Sequence, residues 1–433
     1  MIVRIEREVE EDFRPRMRAE LERRIHSLPE AKATTPVNCE GCGRTMESAG
    51  VAKVGRLCRF GQITIKVRKH RCRRCRQSRR TLLAALGIEA GRVTGSLVRL
   101  LALLGTIVPY DLAAFLACEM FGVDVDAMCV WRCTQRLGEA AAVEDEALAQ
   151  FHASPGSDAP VAPKAPRVVV AGFDGCMLGV QPRTKRRRRK TADEVLPPLP
   201  PIEDERWREV KTGVLLAAEE RVETSPGRRS VVQRHLVTCL GDAGAVYSRL
   251  WAKLCELGWH GPQTLVVVIG DGAEWIWNRA DMFVNRVEVL DFWHAIEKAW
   301  EFARVRHGEG SKASDRWIHK LAEDLRAGRV ETVVARLLKL KVATRQQREK
   351  LDALIRYYTG NASRMRYDEY LRLGYGIGSG AIESAHKQVV HARLRQAGMR
   401  WSQAGARRLL ALRLRLLSKD WRSLDSVRLA RVA

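Results

Sequence analysis

Three acidic residues and four cysteines carry the chemistry this sequence offers. Asp174 closes the apolar run Val168-Val-Val-Ala-Gly-Phe, Asp271 closes Leu265-Val-Val-Val-Ile-Gly, and each is followed by glycine. A carboxylate at the end of a buried strand is costly unless it is paired, hydrogen-bonded or on a metal. Two from adjacent strands suit divalent ions and in-line phosphoryl transfer. An aspartate after a strand also serves as a plain turn or cap residue. Glu383, in Gly378-Ser-Gly-Ala-Ile-Glu-Ser, reads either as a favourable charge near a helix start or as a third carboxylate for the same ions. Spacing alone leaves both open.

Cys39-Glu-Gly-Cys42 and Cys72-Arg-Arg-Cys75 bracket a β-like run with Gly61 at its turn. Two such knuckles brought together by a hairpin supply the soft tetrahedral donor set of structural zinc. The gap from Cys42 to Cys72 is long for a ribbon, so Cys58 and His70 are possible replacements for one ligand. Asp291 and His294, three apart at a helix start, fall on neighbouring helix faces and read equally as a cap and a core histidine. No Gly-x-Ser-x-Gly elbow and no Walker-type phosphate loop occurs, which leaves triad hydrolases and nucleotide-driven enzymes without support.

The elements that must position these residues follow from periodicity. Met17, Leu21, Ile25 and Leu28 recur at helical spacing in residues 1–30. Between Asp111 and Gly138 a helix, a break at Gly122 and a second helix give a helix-turn-helix outline. Four prolines make 152–167 a linker. Strands are expected at 168–174, Val210–Ala217, Val231–Leu240, Leu265–Gly270 and Val287–Asp291, with a helix at Gly244–Leu257 and another from Phe292. That order, β-β-β-α-β-α-β-α, is an α/β layer with a mixed sheet. Helices then fill 309–375, and another spans 380–396. The segment 181–206, with Arg183-Thr-Lys-Arg-Arg-Arg-Arg-Lys190 and Pro197-Pro-Leu-Pro-Pro201, is low in complexity.

Composition narrows the partner. The 433 residues hold 75 Lys and Arg against 51 Asp and Glu, a formal charge of +24. Such an excess points to a polyanion, usually nucleic acid. The charged start argues against a secretory signal, and no apolar run approaches the ~20 residues of a membrane helix. Eleven cysteines, an odd number with two paired knuckles, fit a reducing compartment with a metal site. From Lys53 to Arg80 there are twelve basic residues and no acid. The stretch from Ser384 onward has twelve basic residues and two aspartates, which reads as helices with a basic face.

The segment Asn361-Ala-Ser-Arg-Met-Arg-Tyr-Asp-Glu-Tyr-Leu-Arg-Leu-Gly-Tyr-Gly-Ile-Gly-Ser-Gly-Ala-Ile-Glu-Ser, with Arg393-Leu-Arg-Gln-Ala-Gly-Met-Arg-Trp-Ser, resembles the C-terminal signature of bacterial insertion-sequence transposases of the ISKra group. The two-knuckle hairpin, Phe-Asp-Gly, Ile-Gly-Asp-Gly and Asp-Phe-Trp-His follow in that family's order, over nearly the whole chain. The resemblance implies a DDE transposase with an RNase H-like α/β core and a helical insertion, preceded by a zinc-ribbon-like module and a helix-turn-helix region. It implies catalytic Asp174, Asp271 and Glu383, 97 and 112 residues apart, holding two Mg ions. Asp291 and His294 are similar to the Asp/Cys-x-x-His element of Mutator-like transposases, and Trp401 takes the place of an aromatic near the DNA end.

The expected organisation is an N-terminal helix (1–36), zinc module (37–80), helix-turn-helix region (81–151), linker (152–167), first part of the core (168–308), insertion (309–375), and glutamate helix with basic helices (376–433). Zinc sits on Cys39, Cys42, Cys72 and Cys75. Lys387, Arg393, Arg395 and Arg400 contact double-stranded DNA, both terminal repeats and target. The protein is expected to be a cytoplasmic, nucleoid-associated homo-oligomer. The alternative is a non-catalytic, zinc-containing DNA-binding regulator on a transposase-derived scaffold.

Overall fold

The computed structural model describes residues 1–32, 36–88, 91–153, 160–181, 206–225, 228–231 and 233–425. The basic and proline-rich runs anticipated within 181–206 lie outside the described residues. The chain divides into two compact units: residues 1–144 with 408–415 and 420–433, and residues 145–407 with 416–419.

The first unit opens with helix α1 (Ile2–Ser27). Leu21, Ile25 and Leu28 pack on the hairpin of β1 (Thr45–Cys58) and β2 (Gly61–Arg71), against Ile63, Ile65 and Val67. Ile63, Ile65 and Val67 are buried and alternate with exposed residues, the period of a strand with one covered face. Gly61 takes φ +108° at the turn, a region costly for any residue with a Cβ. After a short helical turn at Thr81–Ala85 come α2 (Gly95–Ile107), α3 (Tyr110–Phe121) and α4 (Ala127–Ala153). Gly122, left-handed at φ 56°, ends α3 at the anticipated break. Helix α4 runs to Ala153, well beyond Gly138, so the anticipated linker starts inside a helix.

The second unit is built on a five-stranded sheet: β3 (Val168–Gly179), β4 (Trp207–Ala217), β5 (His235–Leu240), β6 (Leu265–Gly270) and β7 (Arg286–Leu290). Its order is β7-β6-β3-β4-β5. Strands β6 and β7 run parallel to β3, whereas β4 is antiparallel to both β3 and β5. The mixed sheet expected from the pattern is present. Two boundaries differ by about a helical turn's worth of residues or more, one at Val231 and one at Asp174. The strand expected at Val231–Leu240 begins only at His235, because Arg228–Val231 pairs with Arg221–Ser225 in a separate two-stranded ladder. Strand β3 does not end at Asp174 but continues through Gly179, each residue registered with β4 as far as Trp207. Asp174 is therefore mid-strand. Residues 160–166 also depart from a free linker: Ala162 N–H donates to Gly258 O at 2.9 Å, and Ala165 N–H to Ala162 O.

Alternation along β3 sorts its two faces. Val169, Ala171 and Phe173 join Leu215, Val237 and helix α5 (Ala243–Glu256) in the main core. Gly172, Asp174 and Cys176 point the other way. A Cβ on Gly172 would come within 3.1 Å of Ile382 Cβ, so glycine is what lets the helix that follows Ser379 approach the sheet. Helix α6 (Phe292–His307) follows β7 as anticipated, and the anticipated insertion over 309–375 is helical: α7 (Lys312–Arg326), α8 (Val330–Leu338), α9 (Arg345–Asn361) and α10 (Tyr367–Arg372). Then comes α11 (Gly380–His386), which passes into a π turn over Lys387–His391 and an α turn at Ala392–Leu394. The helix expected across 380–396 is thus interrupted. Helix α12 (Gln403–Leu417) follows. Among the described residues no helix is long and apolar enough to cross a membrane.

Candidate active site

In the parallel ladder Ile269 lies beside Gly172. Two residues further along, Asp271, just past the end of β6, and Asp174, within β3, stand at one level. Asp174 accepts from its neighbour's Gly175 N–H at 2.7 Å. Asp271 caps its own turn, accepting from Ala273 N–H at 3.0 Å. The turn is held from the insertion: Tyr357 OH donates to Asp271 O at 2.7 Å. Gly272, at φ +95°, leaves no room for a Cβ, which would meet the Tyr357 ring at 2.9 Å. Tyr357 was not anticipated, and nothing in its spacing marks it.

Glu383 stands on the first turn of α11, over the face of β3 that carries Asp174. Ser379 Oγ donates to Glu383 Oε1 at 3.3 Å, and Lys387 Nζ lies 3.6 Å from Oε2. Asp291 is fully buried. One oxygen caps α6 through His294 N–H at 2.7 Å, and the other accepts from Ser379 N–H. Phe292 N–H donates to Ile377 O at 2.9 Å. Asp291 therefore fastens the turn that launches the glutamate helix to the start of α6. His294 Nδ1 sits 3.3 Å from Asp291 Oδ1. Asp291, His294 and Glu383 offer ligand atoms within 4.8 Å of one another.

The electrostatics link these groups. Burial pushes Asp174 up to about 6, helped by the negative charges of Asp271 and Glu383 and opposed by its backbone hydrogen bond and by His294. The hydrogen bond to Asp291 holds His294 up at about 9 against the pull of burial. Asp174 thus feels the charges of both Asp271 and Glu383, and carboxylate oxygens are the donors that suit Mg. A buried carboxylate raised by its acidic neighbours is stabilised when a cation joins it.

Cys39, Cys42, Cys72 and Cys75 also come together, all four sulfurs within 4.8 Å of one another and Cys42 Sγ 3.6 Å from Cys72 Sγ. The two knuckles repeat one geometry. Gly43 N–H donates to Cys39 O and Arg76 N–H to Cys72 O, with Gly43 and Arg76 both at positive φ. A hydrogen bond at Arg44, then those of the other thiols, lower Cys42 to about 7, whereas sharing with Cys42 pushes Cys75 up to about 12. This donor set fits zinc. The substitutes considered from spacing stay apart: Cys58 donates to Gly61 O at the hairpin turn, and His70 pairs in register with Arg79.

Two anticipated DNA-facing residues are turned inward. Arg393 has 0% exposure, its guanidinium 5.2 Å from the centre of the Trp401 ring. Trp401 is 8% exposed, donates to Leu394 O at 2.9 Å, and bridges to Val180. Neither presents a face to a partner. Lys387, Arg395 and Arg400 are exposed. Beyond them not every arginine faces solvent: Arg413 is buried and donates to Thr106 O at 2.8 Å, and the half-buried Arg408 pairs with Glu139. Arg413 serves packing because an acceptor meets it inside.

No family model and no curated protein matches this chain. Among solved structures it is similar to the Drosophila P element transposase strand transfer complex, at 12% identity and a TM-score of 0.25 over 80% of this chain and 84% of that one. A likeness that slight carries no argument about fold or chemistry.

Proposed function

We propose that this chain is a metal-dependent DNA transposase with an RNase H-like core, catalysing strand cleavage and strand transfer through Asp174, Asp271 and Glu383. The observation that supports it best is that Asp174 feels the charges of Asp271 and Glu383, carboxylates from distant parts of the sequence. Asp174 lies within β3, Asp271 follows the end of the parallel neighbour β6, and Glu383 stands on the helix packed over the sheet. Numbered along the chain, the sheet order 3-2-1-4-5 with strand 2 reversed is that of RNase H-like proteins. The resemblance of residues 361–402 to the ISKra group points the same way. Two Mg ions bound by these acids would activate a water or 3′-hydroxyl and stabilise the leaving oxygen.

The chain's own residues do the positioning. Asp291 fixes the launch of the glutamate helix, and Tyr357 fixes the Asp271 turn. Lys387, Arg395 and Arg400 are placed to meet phosphates near the acids, and the hairpin with its cysteine cluster adds a second basic surface for the element's ends. Pairing two ends implies a homo-oligomer.

The test is cleavage of a duplex carrying the element's own end, with Mg or Mn, by wild type and by Glu383→Gln. Metal-dependent cutting that the substitution abolishes while binding persists is the expected result. Tight, selective binding with no cutting under either metal would replace the enzyme with a DNA-binding regulator.

A further inference from the structure

Next to the carboxylates, but with different donors, lies a second cluster that the chemistry above does not use. Cys176 on β3, His386 at the end of α11 and His391 at the end of the π turn offer one sulfur and two imidazole nitrogens within 4.8 Å of one another. The His386 and His391 rings lie 5.6 Å apart.

The backbone explains the convergence. In an α-helix, residues five apart point about 140° away from each other. A π turn advances each residue by only about 80°, which brings the fifth round to about 40°. The π turn at Lys387–His391 therefore swings His391 onto the face of His386, which is the face that meets Cys176. Single π turns inside α-helices occur frequently at functional sites.

The individual atoms are prepared for a cation. His386 is 2% exposed, and its Nε2 is buried with no hydrogen-bond partner. Its Nδ1 lies 2.9 Å from Thr212 Oγ1. When Nδ1 donates to that hydroxyl, the lone pair is left on Nε2, the outer-shell arrangement that orients metal-binding histidines. Burial, with the positive charge of Arg395 and His391, holds His386 down at about 4, so it is neutral and competent to ligate. Arg395 Nη1 lies 3.1 Å from His391 Nε2, and the same guanidinium interacts with the Cys176 thiol. A positive group thus already sits against two of the three donors, on a side chain exposed enough to swing clear.

We propose that Cys176, His386 and His391 form a second metal site, for zinc or a similarly soft divalent ion, that ties the glutamate helix to the strand carrying Asp174. One thiolate and two imidazoles favour such an ion over Mg. A tetrahedral zinc spreads its ligands by about 3.5 Å, so closure from the observed spread is small. Three protein ligands leave one position for water. The site would hold Glu383, three residues before His386, at a fixed distance from Asp174, two residues before Cys176. It does not depend on the reaction catalysed.

The experiment counts zinc per chain by elemental mass spectrometry after saturation and removal of loose metal, with cobalt substitution as a second readout. Wild type is expected to hold two ions, one of them on the four cysteines. The double variant Cys176→Ala/His391→Ala is expected to hold one and to keep the cobalt spectrum of a tetrathiolate centre. Cys72→Ser is expected to hold one and to keep the spectrum of a single-thiolate centre. His391→Cys is expected to restore two, which separates lost ligation from lost folding. The proposal is overturned if wild type holds one ion that only Cys72→Ser removes, or if the double variant still holds two.

Discussion

The four cysteines and the three acids bring anionic side chains toward one another by opposite routes. The four cysteines belong to one hairpin, and each knuckle fixes two of them through its own short turn. The three acids come from two strands and a helix, so their meeting depends on the sheet register, on Asp291 at the glutamate turn and on Tyr357 reaching in from the insertion. The first site is local and binds its own fold together. The second is assembled by the fold, and under the proposed function losing one of its acids is expected to cost chemistry without costing structure.

Glu383→Gln tests that contrast most sharply. Cleavage should fall by about a thousandfold or more while the melting temperature and DNA binding stay put. A large loss of stability would show that the acid is structural. Cys72→Ser should do the reverse to its own region. Zinc bound at the knuckles would be lost, and amide protection across Thr45–Arg71 should drop about a hundredfold by hydrogen exchange, with the five-stranded sheet unchanged. Exchange that spreads into the sheet would erase the distinction.

Asp291→Asn lies between the two classes. It keeps the size of a buried group but weakens its bonds to His294 and Ser379, at a cost of about 1–3 kcal/mol. Cleavage should fall about 10- to 100-fold through a displaced Glu383. Stability and rate measured together on this variant show whether positioning and folding can be separated here.

The smallest effect belongs to neither site. Asp324 is 3% exposed and meets Arg329 at 2.6 Å, with Arg336 and Lys320 beside it. The hydrogen bond from Arg329 and the charges around it hold it down at about 2. A lowered carboxyl stabilises the fold above the ordinary aspartate range, near 4, and that contribution is lost as the pH falls from about 4 toward 2. Asp324→Asn should cost about 1–2 kcal/mol at pH 7, modest because both arginines are half exposed. It should leave cleavage intact and flatten the acid limb of the stability curve.

Much of this was legible in the residues. The knuckles, Gly61 and Gly122 announce themselves because each answers a local demand, a ligand pair or a positive φ. The apolar runs before Asp174 and Asp271 mark strands covered on both faces. What was hidden depends on distant partners. Asp174 reads as a strand end because glycine follows it, yet β4 carries the pairing five residues further. Arg393 and Arg413 read as surface charge because nothing nearby in sequence reveals Trp401 or the Thr106 carbonyl. Cys176, His386 and His391 escape because helical periodicity sets the two histidines on different faces.

The π turn has a consequence for chain length. It holds one residue more than an α-helix would use to cover the same ground. Deleting Gln388 would therefore let the backbone revert to α geometry with the chain beyond it nearly in place. His386 and His391, then four apart, would still share a face, and the bond from Trp401 N–H to Gly179 O, now 3.2 Å, would keep its register. The same deletion in a regular α turn rotates everything after it by about 100°, so this helix should tolerate the loss of one residue at the π turn better than elsewhere along it.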